Sequence, residues 1–271
     1  MKRMFLVLTV FLAFGLTACS ASSYEVREGN TLVVGLEAAY APYNWTTQTE
    51  NDFTVPLSGQ PGAFVDGYDV VVASYIAAEL GLVLEVKAIE WDGLIPALQA
   101  GQIDVIIAGM SPTSERAQTV NFSTKYYRAQ QVMVVRTDSN FASADALADF
   151  SGAKVVAQLG TLQDDLIDQI PSVVHQTPLD SYNALTNSVL SGVSDAFIAE
   201  LPVAMSIVQS NANLTFVNFT SNGFTLSEED ITTAVALRKR DTALLEAINE
   251  VLADLTVETR DAWMLAALNR Q

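Results

Sequence analysis

The stretch Trp91–Arg116, WDGLIPALQAGQIDVIIAGMSPTSER, changes character twice. Through Gly101 its apolar residues are spaced for one face of a helix, with Asp92 as the expected N-cap and Gly101 as the stop. IDVIIAG is then an unbroken apolar run with the look of a buried strand. Behind it come two hydroxyl residues, a proline and Arg116. Ser111 and Thr113 are helix-capping types, and TSERAQT is expected to open a further helix with Arg116 in its first turn. An arginine there opposes the helix dipole, which favours acids at its start. It therefore calls for an anionic partner. Glu115 is one candidate. A ligand carboxylate, clasped through two parallel hydrogen bonds, suits the convergence of hydroxyls and backbone N–H groups better.

Working outward, the alternation continues. TLVVGL (31–36) reads as a strand, DVVVASYIAAELG (69–81) as a helix closed by Gly81, and LVLEVKAI (82–89) as a strand. The pattern restarts with AKVVAQLG as a strand, TLQDDLIDQI as a helix, VVHQT as a short strand, DSYNALTNSVLSG as a helix capped by Asp180, and DAFIAE as a strand. Strands alternating with helices predict βαβ units and a largely parallel sheet. GQIDVIIA (101–108) and GVSDAFIA (192–199) share the spacing of Gly, Asp, Ile and Ala, as expected of two lobes built on one helix–strand unit. Gly109 and Glu200 then occupy equivalent places at the carboxyl ends of strands, where open α/β sheets bind ligands.

Composition narrows the possible partners. Half of the 271 residues are hydrophobic and 17% are charged, which gives a globular chain long enough for two lobes. With 14 basic and 31 acidic residues the formal charge is −17, so nucleic acid is not an expected partner. Residues 1–18 have the layout of a secretory signal: Lys2 and Arg3, an apolar MFLVLTVFLAFGL, then small residues. Cys19, the single cysteine, ends LTAC, a match to the lipobox at which bacterial lipoproteins are cleaved and lipidated. An exported protein anchored by lipid to the outer face of the cytoplasmic membrane, or held in the periplasm, is expected, with residues 19–29 as its tether. One cysteine allows no internal disulfide.

The segment GLIPALQAGQIDVIIAGMSPTSERAQTVNFSTKYY resembles the signature region of the polar-amino-acid-binding proteins of ABC importers, bacterial extracellular solute-binding protein family 3. LVVGLEAAYAPYNW, VVAQLGTLQDDL, SDAFIAELPVA and AVALRKRDTALLEAINEVL extend the resemblance over nearly the whole mature chain. It implies a two-lobed α/β fold of the class II periplasmic-binding-protein type, with the ligand cleft between the lobes. Lobe one would comprise residues 30–128 and 231–271, and lobe two residues 129–230, with crossings near Tyr127 and Ile231.

Residue by residue, the resemblance implies that Arg116 binds a ligand α-carboxylate, helped by the N–H of Ser111 and by Thr161 and Leu162 at a helix start, a setting that suits anions. Glu200, the Ser111 hydroxyl and the Gly109 carbonyl would take the α-ammonium. Most relatives carry Asp at the Glu200 position and often Thr at Leu162. Glu37, Tyr40, Trp91 and Gln158 would read the side chain, and aromatics beside a carboxylate favour a cationic or amide group. Arginine, lysine or glutamine is the expected ligand. Gln163 and Tyr43 stay open between pocket rim and helix surface.

Other features have plain readings. His175, the only histidine, has no companion for a metal site and is given a structural or surface role. Residues 46–67 are polar and turn-rich and read most simply as a surface loop, the alternative being a cover for the cleft mouth, since the segment follows the Tyr40 region. In DTALLEAINEVLADL, Leu244, Leu245, Ile248, Val251, Leu252 and Leu255 form a core stripe. Neither cofactor nor metal is expected. The leading function is a lipid-anchored binding subunit that serves a permease and its ATPase. The alternatives are a dehydratase-like enzyme on the same scaffold, with Glu200 or Glu37 as general acid, and a sensory ligand-binding subunit.

Overall fold

The computed structural model describes residues 22–219 and 222–271. The expected signal segment, the lipidation position Cys19 and the first residues of the tether lie outside the described residues. From Thr31 onward the chain builds two five-stranded sheets of matching design. In the first, Thr31–Leu36 lies between Val83–Ala88 and Val105–Ile106, all parallel. Thr232–Arg238 runs antiparallel beside Val105–Ile106, and Val120–Arg128 forms the far edge. In the second, Lys154–Val156 lies between Val174–His175 and Ala196–Glu200, again parallel, followed by antiparallel Gln131–Arg136 and Leu214–Val217. Each sheet is thus mixed, where alternation alone suggested a largely parallel one. The strand added antiparallel to each parallel trio lies outside the βαβ alternation, after it in the first sheet (Thr232–Arg238) and before it in the second (Gln131–Arg136).

The chain leaves the first sheet after Arg128 and enters the second at Gln131, then returns to pair from Thr232. Ala129 N–H donates to the Ile231 carbonyl at 2.9 Å, tying the outgoing and returning segments side by side. The fold is two-lobed α/β with a cleft between the lobes.

The short internal similarity corresponds to one repeated piece of geometry. Gly101 and Gly192 both end helices at positive φ, 75° and 76°, a conformation that favours glycine. Asp104 N–H then donates to the Val33 carbonyl (2.8 Å) while its carboxylate accepts from Val33 N–H (3.1 Å). Asp195 does the same with Lys154, at 2.8 Å in both directions. Each aspartate pins the start of the third parallel strand of its sheet to the first parallel strand. The period-2 alternation of strands sorts side chains between layers: Met133, Val135, Ala196 and Ile198 join one cluster with Phe150 and Ile167, whereas Val132, Val134, Phe197 and Ala199 face a larger cluster continuous with lobe one.

Four local expectations need correction. Asp92 caps nothing: it sits inside a 3-10 turn, Trp91–Gly93, and the helix Leu94–Gln99 starts after it with no side-chain cap. Pro96 is accommodated there because first-turn N–H groups have no intrahelical acceptor. The helix Tyr182–Leu190 is capped by Ser181, whose hydroxyl accepts from Ala184 N–H, so Asp180 falls one residue too early. TSERAQT makes only the 3-10 turn Arg116–Gln118, cut short by the strand that begins at Val120. The segment 46–67 is not a plain loop. Asn44–Thr47, Val55–Pro56 and Phe64–Asp66 join Ala39–Tyr40 in a four-stranded antiparallel sheet, seated through buried Val65 and Leu57. Strands of two to four residues between turns carry too little period to be read. The C-terminal stripe does pack inward, with Leu244, Ile248, Val251, Leu252 and Leu255 buried.

Candidate ligand-binding site

Chain ends of strands supply most of the site. Glu37 follows Thr31–Leu36, Gly109 and Ser111 follow Val105–Ile106, Gln158 follows Lys154–Val156, and Glu200 is the last residue of Ala196–Glu200. Trp91 and Arg116 come from 3-10 turns of lobe one, and Thr161 and Leu162 from the start of the helix Leu162–Ile167 in lobe two. With Tyr40, these ten residues line a single cavity, completed by Gln163 and Tyr182.

The sequence leaves two positions open, Gln163 and Tyr43. Gln163 is buried and its amide donates to Gln131 Oε1 (3.1 Å) and to Glu200 Oε1 (2.9 Å). Tyr43 sits one layer behind the wall, fully buried, its ring stacked on Tyr40 at 5.3 Å. Tyr182 was missed. It packs on the Tyr40 ring at 4.7 Å from the opposite lobe, and its signal was an aromatic in the first position of a helix entered from a parallel strand's carboxyl end. His175 is bonded to Asp164 and Asp168 at 2.8 and 2.9 Å, away from the cavity. Among the described residues no group of His, Cys, Asp and Glu could hold a metal.

The lobes meet through polar contacts across the cavity. Tyr40 donates to Glu200, and Gln158 Nε2 donates to Glu37 (2.9 Å) and to the Asp180 carbonyl (2.9 Å). The Gly160 carbonyl receives Trp91 Nε1 at 3.0 Å and one Arg116 nitrogen at 3.2 Å. The other Arg116 nitrogen rests on the Ser111 carbonyl (2.9 Å), and the guanidinium lies over the Trp91 ring at 5.2 Å. Arg116 therefore stands at the cavity wall with its fork on backbone carbonyls, held in place by an indole face. Gly109, at φ 62°, is where glycine is favoured: a side chain would be strained there and its Cβ would lie 3.0 Å from the Tyr40 ring.

Burial sets the charges. Glu37 is pushed up to about 7, chiefly by desolvation, with the Gln158 amide opposing and Glu90 and Asp180 adding to the rise. Glu200 is raised for the same reason, offset by its bonds from Tyr40 and Gln163. Arg116 is held below its ordinary value by desolvation, with Glu115, Glu200 and Asp165 acting against it. The cavity thus gathers one cation and two carboxylates under aromatic walls. That charge set matches a small molecule carrying both signs of charge.

Residues 32–262 match the family of bacterial extracellular solute-binding proteins, family 3. The chain belongs to this family. Among its relatives, the arginine-binding extracellular protein of Bacillus subtilis is 30% identical, over 94% of this chain and 92% of its own. The solved structure of an amino-acid ABC transporter substrate-binding protein from Streptococcus pneumoniae, bound to L-arginine, is 28% identical with a TM-score of 0.75, covering 89% of this chain and 94% of that one. An ancestral arginine-binding protein bound to glutamine is 32% identical with a TM-score of 0.71, over 87% and 96%. These relatives are solute-binding proteins, as are the family's members by description.

Proposed function

We propose that the protein is the extracytoplasmic substrate-binding subunit of an amino-acid ABC importer, closing on a free cationic or polar amino acid and delivering it to a permease served by an ATPase. The observation that carries the reading is the charge set of the closed cavity: Arg116 with two buried carboxylates, Glu200 and Glu37. An amino acid's α-carboxylate matches Arg116, with backbone N–H groups of Ser111, Thr161 and Leu162 in support. Its α-ammonium matches Glu200, the Ser111 hydroxyl and the Gly109 carbonyl. Glu37 is left over. A cationic side chain between Tyr40, Trp91 and Tyr182, ending at Glu37 and Gln158, completes the balance, so arginine and lysine rank ahead of glutamine. Glutamate and aspartate would bring a carboxylate to a carboxylate. No catalytic step belongs to this proposal. Residues 30–128 with 231–271 form lobe one in it, and residues 129–230 form lobe two.

A thermal-shift screen of the common amino acids on ligand-stripped protein tests the assignment. A ligand at a hundred times its dissociation constant adds about 2.7 kcal/mol of stability, so arginine or lysine should give the largest shift. A shift with glutamate and none with arginine, lysine or glutamine would overturn the side-chain assignment. No shift with any amino acid would overturn the function.

Acidity should weaken cation binding. In the free protein Glu37 holds its proton up to about pH 7, above the range of an unfolded glutamate, and a cation binds the ionised form. Arginine affinity should therefore fall as pH drops below about 7, by up to tenfold per unit for a one-proton linkage. Calorimetry at pH 5.5 and 8 checks this. Tighter arginine binding at the lower pH would contradict the role of Glu37.

The proposal places the mature chain on the membrane through lipidated Cys19. Because one acyl chain gives only marginal attachment, full modification matters. Cys19→Ser should leave the membrane fraction after signal cleavage, while a soluble form keeps its ligand affinity. Retention of the processed Ser variant in membranes would refute the anchor.

A further inference from the structure

Behind the cavity floor lies a buried polar hub centred on Asp69, the second residue of the helix Tyr68–Glu79, with 0% exposure. Its two carboxylate oxygens serve two separate arms. One accepts from the Tyr126 hydroxyl at 2.7 Å, and that hydroxyl in turn accepts from Gly109 N–H at 3.1 Å. The other accepts from Asn44 Nδ2 at 2.8 Å, and the Asn44 carbonyl oxygen accepts from Ala38 N–H at 2.7 Å. Each arm ends on the amide of a residue at positive φ, Gly109 at 62° and Ala38 at 57°. Ala38 is a non-glycine residue in a conformation that L side chains resist, so something must hold it. Both amides lie in or beside the cavity lining. Gly109 lines the cavity itself, and Ala38 directly follows Glu37, which does.

We infer that Asp69 is a positioning residue for the amino-acid site, which fixes Gly109 through Tyr126 and Glu37 through Asn44 and Ala38. This rests on the proposed function, and Asp69 itself lines no part of the cavity. The logic is one of donors and acceptors. Burial raises the Asp69 carboxyl to about 7; above that pH it is a carboxylate and only accepts, so Asn44 must turn its NH2 to Asp69 and its oxygen to Ala38. That orientation is what makes the second arm possible. An asparagine in place of Asp69 offers one acceptor and one donor. If its oxygen keeps Tyr126, its NH2 meets the Asn44 NH2, and either that contact fails or Asn44 turns over and sets its NH2 against Ala38 N–H. The converse orientation places an NH2 against the Tyr126 hydroxyl, which must then turn its proton away from position 69 while it accepts from Gly109. Either way one arm is broken or re-formed with its donor and acceptor reversed. Exchanging the two residues repairs the set: the amide, moved to position 69, accepts from Tyr126 and donates to the carboxylate now at position 44, whose second oxygen accepts from Ala38 N–H.

The test is a calorimetric cycle with L-arginine and L-glutamine on the full mature chain at pH 8.5. Asp69→Asn and Asn44→Asp should each weaken binding of arginine tenfold or more, and the double variant should return to within about threefold of wild type. A residue that only contributes stability would move the melting temperature without this pattern in Kd. An Asp69→Asn variant with wild-type affinity, or a double variant no better than the weaker single, overturns the inference. Should the single variants not fold, Tyr126→Phe removes the Gly109 arm alone. It should weaken arginine and glutamine by the same factor, fivefold or more, because the α-ammonium contact is common to both, and unchanged binding there overturns the inference too. Wild-type protein that takes neither amino acid would overturn the functional proposal and this inference with it. Wild-type binding with insensitive variants overturns the inference alone.

Discussion

Arg116→Ala is expected to cut amino-acid affinity by well over tenfold. In the closed cavity the guanidinium is half-buried, donates to the Ser111 and Gly160 carbonyls, and lies over the Trp91 ring. With a ligand present, its removal would leave an α-carboxylate in the cleft without its partner. Truncating one side of a buried, hydrogen-bonded charge pair costs about 2–5 kcal/mol, most of it the penalty on the charge left behind, and each 1.4 kcal/mol is tenfold in Kd. The loss should be similar for every amino acid that binds, because all share the α-carboxylate. Calorimetry on the folded variant decides it. Near-normal affinity would reduce Arg116 to a strut between the lobes that holds Gly160.

The largest effect on stability should come from Arg238→Met, far from ligand chemistry. Arg238, at the end of Thr232–Arg238, is 6% exposed. It pairs with Asp104 at 3.0 Å and Asp241 at 2.6 Å, and donates to the carbonyls of Leu98 and Ile103. Asp241 is itself fully buried, with one oxygen taking Tyr24 N–H at 2.9 Å. Methionine fills much of the volume but leaves that carboxylate without a cation. Breaking a buried pair from one side costs about 3–5 kcal/mol, so the urea midpoint should fall sharply. A loss below about 1 kcal/mol would mean that water or another group takes over the place of the guanidinium beside Asp241.

Some of this was written locally and some was not. The aspartate that opens each repeated strand, Asp104 and Asp195, could be recognised because the bonds the two share run to the neighbouring strand of their own βαβ unit, whereas the added pairing of Asp104 with Arg238 is long-range and was not legible. The glycines that stop helices could be read for the same reason: a positive φ is a local demand. Caps were less secure, since Ser181 and Asp180 are adjacent and both able, and only the true first turn selects between them. The small sheet at 39–66 escaped because its short strands derive their stability from pairing and from seating on Val86, not from any internal period.

The sequence by itself determined the two-lobed α/β class, the strand ends that face the cleft, and the residue types gathered there, because periodicity, turn chemistry and family signature are all properties of short segments. Only the tertiary structure decided which groups touch. Tyr40 and Glu200, Glu37 and Gln158, Arg116 and Gly160 are each separated by at least 44 residues, and no local pattern encodes a contact between lobes. Tyr182 entered the cavity, and Asp69 became the hub behind it, for the same reason. A buried polar group takes its partners from whatever the closed fold brings within hydrogen-bond reach, and that choice is made in three dimensions.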